Sequence, residues 1–178
     1  KNITNEIVLL LSGNNLHTRA LAKELNTNHV TVINKLESLM EENVVDFKQK
    51  GKNKVYFLKK SVEARNYVIM AELYKLNKVI RIYPTLRKII EAIKRHSKIK
   101  LAILFGSYAK GIAKRDSDID IFIETRDRNL KKELQLLNSK LSVKIGNYNR
   151  ANLLIREIEK NHVIIKGVEL YYEKAKSI

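Results

Sequence analysis

The sequence has no cysteine and no tryptophan, and it has a single proline. The lack of cysteine excludes disulfide bridges and thiolate zinc sites, and the four histidines are too scattered to suggest a metal cluster. No apolar run reaches the roughly 18 residues that a transmembrane helix needs. The first residues also lack the pattern of a signal peptide. We therefore expect a cytoplasmic protein without a membrane partner.

Acidic residues are few compared with basic ones, at 19 against 35, which gives a formal net charge of +16. Such an excess predicts a polyanionic partner or substrate, although surface lysine can also be the default of a lysine-rich proteome. The positive charge is spread along the whole sequence and so does not locate a site. At 178 residues with 44% hydrophobic content, the chain is long enough for one large or two small domains.

The stretch from Phe105 to Ile123, FGSYAKGIAKRDSDIDIFI, carries the clearest chemical pattern. An apolar strand is predicted before it, Gly106 allows a tight turn, and Ser107 begins a short helix whose free N–H groups can bind an anion. A second strand is predicted from Asp118, and strand alternation places Asp118 and Asp120 on one face. Separately, a Gly-Ser turn or an Asp-x-Asp pair is common. Together they predict a site for Mg²⁺ that carries a nucleoside triphosphate.

This stretch resembles the signature of the DNA polymerase beta-like nucleotidyltransferases, and it is most similar to their minimal, prokaryotic branch. The matching residues are Gly106, Ser107, Ala109, Gly111, Ser117, Asp118, Ile119 and Asp120. The resemblance implies that Gly106 and Ser107 bind the triphosphate, and that Asp118 and Asp120 are catalytic and hold Mg²⁺ or Mn²⁺. It also implies transfer of a nucleoside monophosphate, AMP in the first instance, from ATP or another NTP with release of pyrophosphate.

The sequence departs from that family at a third carboxylate, which the family carries on the next strand. The corresponding strand here is predicted over 141–148, where the matching position is Lys144, with Ser142 on the same face. Neither side chain is an anionic metal ligand. Glu124 reaches the face of the two aspartates only if their strand extends that far. We therefore expect the part of the site that binds the nucleotide to be intact. The part that would supply a general base is expected to be altered.

The first sixty residues show three helical patterns followed by two short β-like runs around a basic tip. The helices are predicted over 3–11, 19–25 and about 28–41, and the β-like runs over 44–47 and 55–58. In the third helix, Val32, Leu36 and Leu39 recur at the spacing of a buried stripe. Three helices and a basic hairpin predict a winged helix, and the region resembles the helix-turn-helix of small prokaryotic transcription regulators.

A winged helix with a basic hairpin favours DNA binding, with the third helix in the major groove. The outward side chains predicted for base contacts are Asn28, His29, Thr31, Asn34 and Lys35. The wing lysines, foremost Lys50 and Lys52 with Lys48 and Lys54, are predicted to contact phosphates. The alternative is a winged helix that serves protein contact or dimer formation.

The predicted fold class is α+β in three parts. A winged helix-turn-helix domain spans 1–60, a linker helix spans 61–82, and a nucleotidyltransferase domain with a small mixed sheet spans 83–178. Ser61 is placed to cap the linker helix. Because winged-helix regulators commonly meet twofold-symmetric sites as dimers, we expect a homodimer.

Three functions are compatible with these patterns. The leading one is a Mg²⁺-dependent nucleotidyltransferase with a DNA-binding module. Small relatives in the resembled family serve as antitoxins beside a HEPN-type ribonuclease toxin, so the resemblance implies such a toxin–antitoxin partner here. The second is a transcription regulator whose transferase domain only binds nucleotide. The third is an RNA or tRNA nucleotidyltransferase, against which the lack of an obvious additional RNA-binding domain counts.

Overall fold

A computed structural model describes residues 1–175 and divides them into two compact units, 1–74 and 75–175. The division falls inside a long helix, α4 (Val62–Ile82). The α+β class predicted from the sequence is confirmed. Within 1–175, none of the helices combines the length and the apolar character that a membrane span requires.

The first unit has the element order of a winged helix. Its elements before α4 are α1 (Ile3–Gly13), β1 (Leu16–His17), α2 (Thr18–Glu24), α3 (His29–Glu41), β2 (Val45–Lys50) and β3 (Asn53–Leu58). The three strands form an antiparallel sheet in the order β1-β3-β2. Strands β2 and β3 pair as far as Lys50 and Asn53, so the wing is a longer hairpin than the sequence predicted and only Gly51 and Lys52 form its tip.

Side-chain caps fix the beginnings of the helices in this unit. Asn28 Oδ1 accepts a hydrogen bond of 2.7 Å from the Thr31 N–H, and Ser61 Oγ accepts one of 3.1 Å from the Ala64 N–H. Helix α2 is capped by the His17 ring, whose Nδ1 accepts a hydrogen bond from the Ala20 N–H at 3.1 Å. Each cap satisfies an N–H group that the helix itself leaves without a partner.

The second unit is built on a four-stranded mixed sheet. After the end of α4 its elements are a short 3₁₀ turn (Pro84–Leu86), α5 (Arg87–Arg95), β4 (Ala102–Phe105), α6 (Gly106–Lys110), β5 (Ile119–Glu124), α7 (Arg128–Gln135), β6 (Leu141–Gly146), α8 (Leu153–Lys160), β7 (Val163–Lys166) and α9 (Val168–Ala175). The strand order is β6-β5-β4-β7; β5 and β6 are parallel, and the other neighbours are antiparallel.

One face of this sheet packs against α5 and α7, and the candidate site lies on the opposite face, where Phe122 is also buried. Ile119, Ile121 and Ile123 of β5 lie in a core with Ile89, Ile90 and Ile93 of α5 and with Leu130 and Leu134 of α7. Because strand side chains alternate, Asp120, Phe122 and Glu124 lie on the opposite face. Strand β5 begins at Ile119, one residue later than the sequence predicted.

A polar network holds the end of β5 on this second face. Glu124 Oε1 accepts a hydrogen bond of 3.0 Å from the Tyr148 N–H and lies 3.0 Å from Lys174 Nζ. The Tyr148 hydroxyl donates to Glu159 Oε1 at 2.8 Å, and Arg150 Nε lies 2.9 Å from the same oxygen. The network joins β5 to α8 and α9 through charges that are partly shielded from water.

His162, between α8 and β7, is a buried histidine held in its neutral form. Its Nδ1 donates to the Ile158 carbonyl oxygen at 3.0 Å, while Nε2 is buried and has no hydrogen-bond partner within 1–175. A proton on Nε2 would bury an unpaired cation. Burial, with a smaller contribution from the nearby Lys75 charge, therefore lowers the pKa of His162 to about 3.

Candidate functional site

The first half of the site is the tight turn between β4 and α6. Gly106 has a φ of +70°, a left-handed conformation that glycine adopts without the steric cost of a side chain. Helix α6 begins at this residue, and no side chain caps it. Ser107 is the second residue of that helix and is partly exposed. The N–H groups at the start of α6 are therefore not engaged by a capping side chain.

The second half is the pair of aspartates at the start of β5. In the antiparallel pair of β4 and β5, Asp120 is the partner of Phe105, so it lies beside the turn at Gly106. The two residues are in close contact, because a Cβ built on Gly106 would lie 2.6 Å from Asp120 Oδ2. Asp118 is exposed and immediately precedes the strand. The fold thus brings Gly106, Ser107 and Asp120 together, with Asp118 two residues before Asp120.

The loop from Ile112 to Asp118 is held in place by its neighbours. Ser117 Oγ accepts a hydrogen bond of 2.8 Å from the Lys114 N–H, and the Tyr83 hydroxyl accepts one of 3.0 Å from the Ala113 N–H. Lys140 Nζ donates to the Arg115 carbonyl oxygen. The Lys114 and Arg115 side chains are exposed. An ordered loop with two cations next to the aspartates favours the binding of phosphate groups.

The neighbouring strand places Ser142, and not Lys144, beside Asp120. In the parallel pair of β5 and β6 the register joins Asp120 to Ser142 and Phe122 to Lys144. Lys144 therefore lies on the same face as Asp120, but it is two residues further along β6 than Ser142, the partner of Asp120. The sequence prediction had placed Lys144 at the position nearest the aspartates. Neither position carries an acid. The distinction required the register between strands, which a single sequence does not give.

Glu124 lies on the face of Asp120 because β5 extends to that residue. Its carboxylate is engaged by the Tyr148 N–H and by Lys174, each at 3.0 Å. These contacts hold Glu124 at the far end of the strand in a structural role. Glu124 therefore does not replace the missing third acid.

The carboxylates present fit one hard cation that arrives with a nucleotide. Two carboxylates together with phosphate oxygens are a usual ligand set for Mg²⁺. Within residues 1–175, no three side chains of the His, Cys, Asp or Glu type are grouped as a metal site. A metal would therefore complete its coordination with oxygens of the nucleotide and with water.

In the winged helix, a groove of about 390 Å³ lies between α3 and the wing. Its polar lining includes His17, Arg19, His29, Glu37, Lys52 and Lys54. Of the residues predicted to bind DNA, the groove brings together His29 and Lys52. Asn28 and Asn34 are exposed at or on α3, Thr31 is half-buried, and Lys50 is exposed near the wing tip.

Lys35 lies apart from the groove. It lines a separate depression with Lys1, Asn2, Ile3, Thr4 and Tyr74. The spacing along α3 explains this position, because residues 29 and 33 share one side of a helix while 31 and 35 share another. The sequence prediction treated all these outward residues as one surface, whereas the fold divides them.

Arg19 was missed by the sequence analysis. It lies in the first turn of α2, and the fold turns it into the groove. Its position in the sequence could have indicated a function. A cation in the first turn of a helix interacts unfavourably with the helix dipole, so Arg19 is not expected there for stability. Lys54 was recognised, and its ammonium lies 4.2 Å from the centre of the Phe47 ring, which fixes it on the wing.

Comparison with known proteins gives a family match within the second unit. Residues 87–173 match the family described as polymerase beta, nucleotidyltransferase. A search among curated proteins gives no match.

Three solved structures are similar to parts of this chain. The adhesin competence repressor of Streptococcus pyogenes, with a C-terminal His tag, is 20% identical over 49% of this chain and 66% of its own, with a TM-score of 0.43. A second structure of that repressor is 19% identical over 55% and 67%, with a TM-score of 0.41. A toxin–antitoxin structure with AMP-PNP is 23% identical over 58% and 82%, with a TM-score of 0.35. This chain thus spans slightly less than two thirds of the first repressor structure, and likeness at these scores carries no functional inference. The family match does not depend on these structures: residues 87–173, just under half of the chain, match the polymerase beta nucleotidyltransferases.

Proposed function

We propose that the chain binds a nucleoside triphosphate with a divalent cation and transfers its nucleoside monophosphate, while the winged helix binds duplex DNA. One observation carries the nucleotide part: the Asp120 carboxylate lies against Gly106, the first residue of the uncapped helix α6. An acid that can hold a cation is thus placed beside N–H groups that can hold phosphate. The family generally uses an NTP and a divalent metal, in line with this arrangement.

Each residue of the proposed site has a distinct role. The backbone at Gly106 and Ser107 would hold the phosphates, with Ser107 also offering its hydroxyl. Asp118 and Asp120 would hold Mg²⁺ or Mn²⁺, which neutralises phosphate charge and orients the leaving group when bound. Lys114 and Arg115 would add positive charge at the open side. ATP is the first nucleotide to test.

Label transfer tests this proposal. Purified protein is incubated with α-labelled ATP and Mg²⁺ or Mn²⁺, and it is offered duplex DNA, tRNA and any HEPN-type ribonuclease encoded beside its gene. We expect label on one acceptor and none with the variant Asp118→Ala/Asp120→Ala. A labelled HEPN-type protein would support an antitoxin that modifies its toxin. Label on tRNA would support the RNA alternative instead. Protein that neither binds ATP nor labels any acceptor would refute the proposal.

A transcription regulator that binds nucleotide without turnover is the second candidate. The observation that favours it is the lack of a third acid, since Ser142 and Lys144 occupy the available positions of β6 and Glu124 is engaged elsewhere. Metal-dependent ATP binding without transfer to any acceptor would select this candidate. Sequence-selective binding of duplex DNA in preference to tRNA, measured at fixed salt, would support the regulator role of the winged helix.

A further inference from the structure

Position 142 is the part of β6 closest to the Asp120 carboxylate. Asp120 and Ser142 are register partners in a parallel pair, and adjacent strands lie about 4.8 Å apart. Their side chains leave the sheet on the same face. Any group at position 142 would therefore share its surroundings with Asp120, and it would be nearer than a group at position 144.

Among the described residues of β5 and β6, no carboxylate on the face of Asp120 is left to accept a proton. Transfer to a hydroxyl acceptor requires a group that takes the hydroxyl proton. Asp118 and Asp120 are the proposed cation ligands, and Glu124 is held by Tyr148 and Lys174. Ser142 offers only a neutral hydroxyl, which is a poor base at neutral pH.

Lys144 adds a free cation to the same face. Its side chain is exposed, and it has no hydrogen bond or ion pair to any residue among 1–175. Lys144 lies two residues after Ser142 on β6. Its flexible four-carbon side chain lets the ammonium move towards Asp120. A cation at this place attracts phosphate oxygens and does not accept a proton.

We propose that β6 helps to hold the nucleotide and does not accept a proton: Lys144 binds the triphosphate, and position 142 is where a general base is missing. This inference rests on the proposed nucleotide site. The unmodified chain then holds the nucleotide with a single cation and gains little rate from proton transfer.

Ser142→Asp would restore the missing function. The introduced carboxylate takes the proton of an acceptor hydroxyl, and the hydroxyl oxygen forms a bond to the α-phosphorus. The bond from the α-phosphorus to the α,β-bridging oxygen breaks, and pyrophosphate leaves with that oxygen. The same carboxylate also supplies a third anionic ligand beside Asp120, enough to hold a second cation.

The test counts bound Mn²⁺ by electron paramagnetic resonance and measures nucleotide affinity by calorimetry. The nucleotide is an ATP analogue with a methylene group between the α- and β-phosphates, so no transfer occurs. We expect one Mn²⁺ per chain in the wild type, two in Ser142→Asp, and one in Ser142→Asn, which matches the size without the charge. Lys144→Ala should weaken analogue binding about tenfold. Lys88→Ala, an exposed lysine on α5, should leave it unchanged.

The outcomes separate this inference from the proposed function. If the wild type binds no analogue, both fail. If it binds the analogue but already holds two Mn²⁺, or if Lys144→Ala binds as well as Lys88→Ala, only the inference fails. A folded Ser142→Asp variant that still holds one Mn²⁺ overturns it as well. Should that variant not fold, as judged by circular dichroism, the comparison of Lys144→Ala with Lys88→Ala decides.

Discussion

Gly106 lies so close to Asp120 that a methyl group on its Cα would come within 2.6 Å of the Asp120 carboxylate oxygen Oδ2. A glycine is therefore needed at this position for two reasons. Its φ of +70° disfavours other residues, and a side chain would occupy the space of the Asp120 carboxylate. The turn and the proposed metal ligand are parts of one arrangement.

Gly106→Ala should displace the Asp120 carboxylate and weaken metal-dependent ATP binding by about tenfold or more. The matched control is Gly111→Ala, because Gly111 has a φ of +73° but nothing within 4 Å of its added Cβ. Both variants should lose about 1–2 kcal/mol of stability from the left-handed conformation. Calorimetric titration with ATP and Mn²⁺ would check this, and equal affinities in the two variants would contradict a role for the contact.

Asp120→Asn should reduce Mn²⁺-dependent ATP binding about a hundredfold, because an amide is a weak ligand for a hard cation. Asp116→Asn is the control, since Asp116 is an exposed acid in the preceding loop. It removes the same charge close by without touching the site. Comparable losses of affinity in both variants would show that the overall negative charge of this region, and not a specific ligand, determines ATP binding. The measurement is ATP affinity with and without Mn²⁺.

The buried His162 should make the second unit sensitive to acid. Because the folded pKa is about 3 and the ordinary value is 6.5, the unfolded chain binds a proton at higher pH than the folded one. Stability from this residue is complete above pH 6.5 and falls by up to about 1.4 kcal/mol per pH unit between pH 6.5 and 3. Asn in its place keeps a donor for Ile158 without titrating. We expect His162→Asn to show a shallower loss of unfolding free energy over this range, and parallel curves would disprove the assignment.

For the winged helix, Lys52→Ala/Lys54→Ala should weaken duplex DNA binding and lower the salt dependence by about one unit of slope per lysine lost. Arg19→Ala should behave in the same way, because Arg19 lines the same groove. Lys35→Ala should have a smaller effect, since Lys35 lies outside that groove. Fluorescence anisotropy over a salt series measures both quantities. A Lys35 effect larger than that of the groove lysines would place the DNA elsewhere on the domain.

Asn28→Ala should lower the unfolding free energy by about 1 kcal/mol because it removes the cap of α3. Asn28→Ser should restore most of that stability, since a serine hydroxyl also caps helices. Thermal melts of the two variants separate this structural role from any contact with DNA. Reduced DNA binding in the stable serine variant would indicate that Asn28 contacts DNA as well.

Helix α3 could be predicted from the sequence because its buried stripe of Val32, Leu36 and Leu39 is regular and polar residues flank it. Strand β1 could not, since two residues are too few to show a period. Helix α7 ends at Gln135, although the apolar residues Leu136 and Leu137 follow it directly, and both are exposed. Their apolar side chains continue the helical pattern in the sequence, but they do not pack into the core. The end of the helix could therefore not be predicted from the pattern. The Gly-Ser turn and the two aspartates were recognised from local spacing, whereas the identity of the residue beside Asp120 depends on pairing between distant segments.

The caps formed by His17 and Asn28 limit how the surface that we propose to bind DNA can diverge. A change at either position costs helix stability before it alters any contact. Val30 and Asn34 are exposed on α3 and are not caps, and the Val30 side chain is 65% exposed. Under the proposed DNA-binding role, substitutions among natural homologues should therefore accumulate first at positions 30 and 34, while 17 and 28 keep residues that can cap.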